Sequence, residues 1–307
     1  MISIITPTNK LTPFFSYTVT CVMCQTYKDF EWVILDNSPE GYVKRFFDKY
    51  KTEHPEYNDM YSKVKIFREY LLGKSVGYYK NKCVELTTCK DNEYILVYDH
   101  DDFMANTTLE DIAGCDRKYK EKIDYITGDI TFGTCLDDKN EFYIENEDAY
   151  KTIYGFDMKT YTNENTVEAG VLKADKVVSA TMYGYDIERY DNILLPHPRA
   201  IKKHWLNTPI FRFYEGQRYE EDGLQIALAP LILNIGWIAR PTVFYVVHTV
   251  EGEAINASKC GYKDFIDVKN HYKILSCRKL LYAAFSFFYS DKDKKRKFFR
   301  YEDFPKK

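Results

Sequence analysis

Short apolar runs alternate with longer amphipathic segments over the first hundred residues of the chain. This alternation is typical of a parallel β-sheet whose strands are joined by helices. The clearest runs are nearly continuous blocks of about five apolar residues, as expected for strands that are buried on both faces. The pattern predicts strands at Ile2–Thr6, Glu31–Leu35, Val64–Phe67 and Tyr94–Tyr98, and a helix over Val76–Leu86.

Polar residues follow three of these strands at the point where each strand ends. The endings are Thr6 to Asn9, Asp36 to Ser38, and Asp99 to Asp102. In open α/β sheets, ligands bind beyond the carboxyl ends of the strands. We therefore expect the three endings to converge on one crevice, which is the candidate site.

The run Asp99-His100-Asp101-Asp102 is the strongest chemical feature of this crevice. On an extended backbone, Asp99 and Asp101 would point to the same side and His100 to the other. Mg²⁺ and Mn²⁺ prefer such oxygen ligands and leave positions for water and substrate phosphate. Acid pairs with the same spacing occur elsewhere, at 145 and 147 and at 251 and 253. The position directly after an apolar strand is what favours a functional site here.

The pattern becomes weaker and more polar beyond about residue 116. It still predicts a strand over Tyr125–Phe132, a helix with apolar residues from Leu224 to Leu231, and a strand over Thr242–His248. From about residue 259 onward the chain is basic and aromatic. Such a segment suits an anionic membrane surface, but a charged tail is more often simply solvated.

Composition narrows the class of protein. The chain has 307 residues, of which 45% are hydrophobic and 29% charged, which predicts a folded body with a small appendage. A net charge of −3 argues against a nucleic-acid partner. Neither a signal peptide nor an apolar stretch long enough to span a bilayer is visible, so the prediction is a cytoplasmic protein, soluble or peripheral at a membrane.

Eight cysteines are scattered along the chain, which is typical of buried free thiols in a reducing compartment. Cys21 and Cys24 have the spacing of a redox or zinc half-site. No second pair accompanies them, and the surrounding segment has the pattern of a packed helix. A metal or redox role is therefore disfavoured.

Five motifs, taken in order, resemble the family 2 glycosyltransferases, which are inverting enzymes of GT-A fold with a DXD-type acidic motif. The motifs are Ile4–Asn9, Gln25–Tyr27, Phe30–Ser38, Gly77 with Lys80 and Asn81, and Glu93–Ile95 leading to Asp99, Asp101 and Asp102. The resemblance is strong over residues 2 to 110 and fainter to about 250. It implies an α/β fold, with a mostly parallel central sheet flanked by helices and a helical C-terminal extension.

The resemblance also implies roles for the residues that bind the donor. Asp36 matches the carboxylate that accepts a hydrogen bond from a uracil or thymine ring, and Thr6, Thr8 and Asn9 match the loop beside the nucleoside. The family usually has two acids at the Asp36 motif, whereas the first of them is a leucine here. Lys80 stands where the family often has arginine and would approach the diphosphate. The alternative for Lys80 is an ordinary exposed lysine on a helix.

Later residues match the catalytic part of the family. Glu221 and Asp222 resemble its Glu-Asp pair, whose carboxylate is the catalytic base, and Asp222 is the slightly better candidate. The alternative is a pair of acids that cap a helix and complement its dipole. His248 ends a predicted strand where related enzymes offer a histidine to the metal or diphosphate, although a strand-end histidine is more often structural.

The resulting prediction is a glycosyltransferase that uses Mn²⁺ or Mg²⁺ and a UDP- or dTDP-linked sugar, with a glycan or other hydroxyl acceptor. Residues 1–115 would form the nucleotide-sugar-binding half, 116–258 the acceptor-binding and catalytic half, and 259–307 the extension. One alternative is a non-catalytic nucleotide-sugar or glycan-binding module of the same fold. A nucleotidyltransferase is disfavoured, because the segment from Pro7 to Leu11 is not a glycine-rich, basic triphosphate loop.

Overall fold

The computed structural model describes residues 1–11, 15–119, 122–136, 141–143, 198–215, 222, 225, 229, 232–248 and 298–301. The strands of these ranges are β1 (Ile2–Thr8), β2 (Phe30–Asp36), β3 (Val64–Arg68), β4 (Tyr94–Val97), β5 (Phe103–Met104), β6 (Tyr125–Leu136), β7 (Glu141–Tyr143), β8 (Arg199–Lys202), β9 (Ile235–His248) and β10 (Phe298–Tyr301). The helices are α1 (Phe15–Met23), α2 (Tyr42–Glu53), a short 3₁₀ helix (Pro55–Tyr57), α3 (Asn58–Tyr61), α4 (Val76–Leu86), α5 (Thr108–Lys118) and α6 (Lys203–Leu206).

All ten of these strands belong to one sheet, in the order β10-β9-β6-β8-β4-β1-β2-β3. The strands β3, β2, β1 and β4 are parallel neighbours, and β6, β9 and β10 form a second parallel group. The strand β8 joins the two groups and is antiparallel to both β4 and β6. Two short strands, β5 and β7, pair antiparallel with β9 and β6. The architecture is therefore an α/β sheet with mostly parallel strands.

The two faces of the sheet are covered by two separate hydrophobic cores. Ile2 and Ile4 of β1 belong to one core, which also contains apolar residues of α1, α2 and α5. Ile5 belongs to the other core, which is built with α4 and the segment that contains Phe211 and Phe213. Successive side chains of a strand point to opposite faces. This double burial explains why the central strands have continuous apolar sequences.

The predicted elements of the first half are confirmed. The helix α4 has the predicted bounds, and its N-cap Ser75 accepts a hydrogen bond from the backbone nitrogen of Tyr78 at 3.2 Å. The predicted strands at 64–67, 125–132 and 242–248 are longer in the structure, as β3, β6 and β9. None of the described helices has both the length and the apolar character of a membrane-spanning segment.

The second half is described only in part. Within the predicted helical extension, residues 298–301 are described, and they form the strand β10, which pairs with β9. Because β9 would otherwise leave a row of unpaired backbone groups at the sheet edge, an added strand satisfies hydrogen bonds that a helix could not. Of the helix predicted over Leu224 to Leu231, Gln225 and Ala229 are described, and both have helical backbone. Leu224, Ala227, Leu228 and Leu231, whose spacing led to that prediction, lie outside the described residues.

Candidate active site

The order of the strands changes direction at β1. From β1 the chain continues to β2 and β3 on one side, and then crosses to β4 on the other side of β1. In an open parallel sheet this point opens a crevice beyond the carboxyl ends of the two strands. Thr8 ends β1, and Asp99 follows β4 by two residues, so the two polar endings border the same crevice, as the sequence predicts.

The acidic run forms a turn at this crevice rather than an extension of the strand. The strand β4 ends at Val97, and the backbone turns at His100 and Asp101. The expectation that Asp99 and Asp101 alternate with His100 along an extended backbone is therefore wrong. The side chain of Asp99 is 33% exposed, and Asp102 is buried.

Two hydroxyl groups hold the backbone of this turn. Thr18 of α1 donates to the carbonyl oxygens of His100 and Asp102, at 2.9 and 3.0 Å. Tyr98 donates to the same carbonyl of Asp102 at 2.8 Å. The ring nitrogen Nε2 of His100 is buried without a hydrogen-bond partner in the part of the chain that the structure describes. The position of the acidic turn thus depends on the helix that follows β1.

Lys80 of α4 lies next to the carboxylate of Asp99, which precedes this turn. Its ammonium nitrogen is 3.5 Å from Oδ1 of Asp99, although its side chain is only 4% exposed. An ordinary surface lysine of a helix would keep its charge in water, so that alternative is wrong. A buried lysine next to a carboxylate is instead a preorganised cation at the crevice.

Phe213 connects Lys80 to a second charged pair. The nitrogen of Lys80 is 5.8 Å from the centroid of the Phe213 ring, and the guanidinium carbon of Arg199 is 5.6 Å from the same centroid. Asn81 fixes the ring, because its side-chain amide makes two hydrogen bonds with the main chain of Phe213. Two cations therefore share one aromatic ring.

The second pair contains the predicted catalytic base. Nη1 of Arg199 donates to Oδ2 of Asp222. Arg199 is the first residue of β8 and pairs with Val97, the last residue of β4, because β8 runs antiparallel to β4. The ion pair of Arg199 and Asp222 thus lies at the same edge of the sheet as Asp99. Tyr125 is close to both, and burial and the charge of Asp222 raise the pKa of its hydroxyl, against the opposing effect of Arg199.

Arg199 and Phe213 are not among the residues that the sequence patterns predict for the site. Neither belongs to a motif, and both lie in a segment with weak periodicity. The one available signal was the Pro-Arg-Ala-Ile-Lys stretch at 198–202, an apolar pair flanked by basic residues, which on its own predicts only a short strand.

Asp36 is buried at the end of β2, and both of its carboxylate oxygens bind its own loop. Oδ1 accepts from the backbone nitrogen and hydroxyl of Ser38, at 3.0 and 2.5 Å, and Oδ2 accepts from the backbone nitrogen of Val43 at 2.9 Å. Gly41 lies in the same turn with a positive φ of 69°, where an added Cβ would meet the side chain of Arg68. Asp36 therefore organises the start of α2, and its contact with a nucleobase stays a prediction.

The three predicted nucleoside neighbours, two in β1 and one directly after it, differ in position. Thr6 is fully buried, donates to the carbonyl oxygen of Tyr98 at 2.7 Å and accepts from Nε1 of Trp32 at 3.0 Å. Thr8 is also buried and donates to the carbonyl oxygen of Lys10 at 2.6 Å. Asn9 is exposed. Thr6 thus supports the floor of the crevice, while Asn9 is accessible to a ligand.

Two further predicted residues are described incompletely. Glu221 lies outside the described residues, and of His248 only the backbone is described, at the end of β9. The ladder between β5 and β9 pairs Phe103 with Phe244 in antiparallel register. The residues before Phe103 belong to the acidic turn, and the residues after Phe244 lead to His248. In an antiparallel pair these two segments run alongside each other. This register is compatible with the predicted approach of His248 to the site, which stays a prediction.

The described residues contain no group of three or more histidine, cysteine, aspartate or glutamate side chains that could hold a metal ion. Cys21 is fully buried, and burial raises the pKa of its thiol strongly, so it stays protonated. The prediction of free thiols is confirmed for the five described cysteine side chains, which are Cys21, Cys24, Cys83, Cys89 and Cys115. A zinc or redox site at Cys21 and Cys24 receives no support.

Comparisons with known proteins give structural matches only. No family model and no curated protein sequence matches the chain. It is similar to a structure of S. aureus TarS, residues 1–349, in complex with UDP-GlcNAc, with a TM-score of 0.58 at 14% identity over 91% of this chain and 65% of that one. The UDP complex of the same protein gives a TM-score of 0.52 at 16% identity, over 80% of this chain and 60% of that one.

The fold is of the GT-A type. At these identities the likeness supports a glycosyltransferase fold, and assignment to family 2 rests on the sequence motifs alone. The chain spans 60 to 65% of the length of these TarS structures.

Proposed function

We propose that the protein is an inverting glycosyltransferase, which moves a sugar from a nucleotide sugar to a hydroxyl acceptor. The observation that supports this most is the grouping around Phe213 at the carboxyl edge of the sheet. Lys80, which pairs with Asp99, contacts this ring, and so does Arg199, which pairs with Asp222. The transfer requires a cation that stabilises the departing diphosphate and a carboxylate that accepts the proton of the acceptor hydroxyl.

The proposed donor is a UDP- or dTDP-linked sugar. The structural likeness to TarS in complex with UDP-GlcNAc and with UDP supports a nucleotide-sugar ligand in this fold. Asn9 is exposed beside the end of β1, and Lys80 is the cation nearest Asp99 among the described ion pairs. We propose that Lys80 neutralises charge on the departing diphosphate, with Asn9 at the nucleoside.

In the proposed reaction, Asp222 removes the proton of the acceptor hydroxyl as its oxygen attacks the anomeric carbon. The bond from that carbon to the nucleoside diphosphate breaks on the opposite face, so the configuration at the anomeric centre inverts. We propose that Asp99 and Asp101 would bind an Mg²⁺ or Mn²⁺ ion together with the donor phosphates, because such ions are commonly bound by one or two carboxylates plus phosphate. Bound there, the ion would stabilise negative charge on the diphosphate.

The test combines binding and turnover. The purified protein is incubated with UDP-, dTDP- and GDP-sugars in the presence of Mn²⁺, Mg²⁺ or EDTA, and thermal unfolding and release of nucleoside diphosphate are measured. A uridine or thymidine donor should raise the melting temperature, since a ligand at 100 times its Kd stabilises a fold by about 2.7 kcal/mol. Absence of binding and turnover with every donor would contradict the proposal.

Asp222→Asn separates the enzyme from a non-catalytic binding module. The variant should bind the donor like the wild type but turn it over roughly 10²- to 10⁴-fold more slowly, because a general base contributes about that factor. A binding module would show donor binding with background turnover in both proteins.

We propose in addition a glycan or other hydroxyl acceptor and a peripheral membrane contact through the basic, aromatic segment from about residue 259. Residues 259–297 and 302–307 lie outside the described residues. Sedimentation with anionic lipid vesicles should pellet the wild type more than a full-length variant in which Lys294, Lys295 and Lys297 are replaced by glutamine, which keeps the strand β10. Equal pelleting would remove the membrane contact from the proposal.

A further inference from the structure

We infer that Arg199 is a positioning residue for the catalytic base, which holds the carboxylate of Asp222 in place and in its ionised form. This inference rests on the proposed function, in which Asp222 accepts the proton of the acceptor hydroxyl. It predicts that Arg199 controls the rate of transfer and not the affinity for the donor.

The geometry separates the two members of the pair. The side chain of Arg199 is 1% exposed, whereas that of Asp222 is 20% exposed. Arg199 extends from the first residue of β8, whose backbone is fixed by pairing with Val97. The arginine is therefore almost completely buried behind the carboxylate that it binds, and the carboxylate is the more accessible member of the pair.

The sheet makes this support rigid. Arg199 lies between a strand that ends at the acidic turn and the ring of Phe213, which is 5.6 Å from its guanidinium carbon. Asn81 binds the main chain of Phe213 from α4. Asp222 comes from a part of the chain that the structure describes only at single positions, and its described ion pair is with Arg199. The carboxylate of Asp222 therefore gains a defined position from its bond to Arg199 on the strand β8.

The charges around the ion pair favour the ionised form of Asp222. A guanidinium group does not lose its proton in proteins, so a buried arginine requires a negative partner nearby. Tyr125 does not supply that charge, because burial raises the pKa of its hydroxyl. Lys80 brings a further positive charge to the same aromatic ring. The surroundings thus favour the ionised form of Asp222, and a general base must be ionised to accept a proton.

The experiment compares Arg199→Lys, Arg199→Gln, Asp222→Asn and the double variants that combine each arginine substitution with Asp222→Asn. For each protein, the Kd of the UDP-sugar and the pH dependence of kcat are measured. Arg199→Lys keeps the charge but loses the forked donors of the guanidinium group, and Arg199→Gln loses the charge as well as the fork. Arg212→Gln is the matched control, since Arg212 is an exposed arginine that pairs with Glu85 and Glu215.

We expect both arginine variants to bind the donor within about threefold of the wild type, and kcat to fall about 10- to 100-fold, as for a displaced catalytic group. The acidic limb of the kcat profile should move to higher pH in Arg199→Gln and stay in place in Arg199→Lys. Neither substitution should lower kcat further in the Asp222→Asn background.

Loss of donor binding in Arg199→Lys, or additive effects in the double variants, would overturn the inference. Unchanged kcat in Arg199→Lys, with turnover lost in Asp222→Asn, would overturn it while the proposed function stands. A wild-type protein without turnover of any donor would instead remove the proposed function, and the inference with it.

Discussion

Asn81 binds the main chain of Phe213 in both directions, with its Nδ2 atom 2.9 Å from the carbonyl oxygen and its Oδ1 atom 3.0 Å from the backbone nitrogen. Nδ2 also donates to Oε1 of Glu215 at 2.7 Å. The residue next to Lys80 in sequence thus places the ring that both cations contact. This relationship joins α4 to a segment more than a hundred residues later.

Asn81→Asp should destabilise the protein and weaken donor binding. The carboxylate loses the donor to Phe213 and faces the carboxylate of Glu215, so we expect a loss of roughly 1–3 kcal/mol in the free energy of unfolding. Urea denaturation measures this loss. Lys82→Gln on the exposed side of α4 is the control and should change stability by less than about 0.5 kcal/mol. Equal stability of the two variants would contradict the structural role of the hydrogen bonds between Asn81 and Phe213.

Lys80→Met should weaken binding of the UDP-sugar about 10- to 100-fold, because a charge-assisted hydrogen bond is worth roughly 1.5–3 kcal/mol. Isothermal titration measures the Kd. Lys82→Met is the matched control, since Lys82 lies two residues later on the same helix and pairs with Glu85 near the surface. If both variants bind the donor equally well, Lys80 has no part in the donor site.

Thr18→Val should weaken donor binding and lower the free energy of unfolding by about 1–3 kcal/mol, because the backbone carbonyls of His100 and Asp102 lose their shared hydroxyl donor. The valine has nearly the same shape, so packing in α1 is retained. Thr20→Val is a control on the same helix, where the hydroxyl bonds Ser16 and Tyr50 instead of the acidic turn. A selective rise of Kd in Thr18→Val is expected, and equal affinities would argue against this support of the turn.

Glu31 should make the fold sensitive to acid. It lies at the opposite end of the sheet and accepts from Lys65, Ser3 and Thr88. Burial disfavours its charge, but the hydrogen bonds from these three residues outweigh burial and lower its pKa. Its contribution to stability is therefore present at neutral pH and is lost as the pH falls through the folded-state pKa.

Glu31→Gln should therefore be less stable than the wild type at neutral pH and should lose less stability on acidification. Denaturant midpoints measured from pH 3 to pH 7 test this. Parallel curves for the two proteins would mean that Glu31 does not titrate in the unfolding transition.

Asp111 should have the opposite pH dependence. Burial raises its pKa from 3.8 to about 6, although Nε of Arg240 lies 2.9 Å from its Oδ2 atom. The native state then binds a proton more tightly than the unfolded state, so this group's contribution to stability declines as the pH rises from about 4 to about 6. In Asp111→Asn that decline should disappear, as measured by unfolding at closely spaced pH values. A decline in stability that is as steep in the variant as in the wild type, or steeper, would contradict the raised pKa of Asp111.

Local patterns were sufficient for the first half of the fold. Continuous apolar runs identify β1, β2 and β4 because both faces of these strands are covered by core residues. The bounds of α4 follow from Ser75 as a cap and from its apolar positions. The weakly patterned second half gave no comparable signal for β8, whose four residues are too few to show a period.

The sequence by itself therefore determined the α/β class, the strand endings and the acidic run, because these depend on neighbours along the chain. Tertiary structure decided that the acidic run turns, that Lys80 is buried against Asp99, and that Asp222 pairs with Arg199. The last two contacts join residues of different elements, and the first depends on the hydroxyl groups of Thr18 in α1 and of Tyr98, which follows β4. Only the register of the sheet, with the start of β8 beside the end of β4, places such groups together.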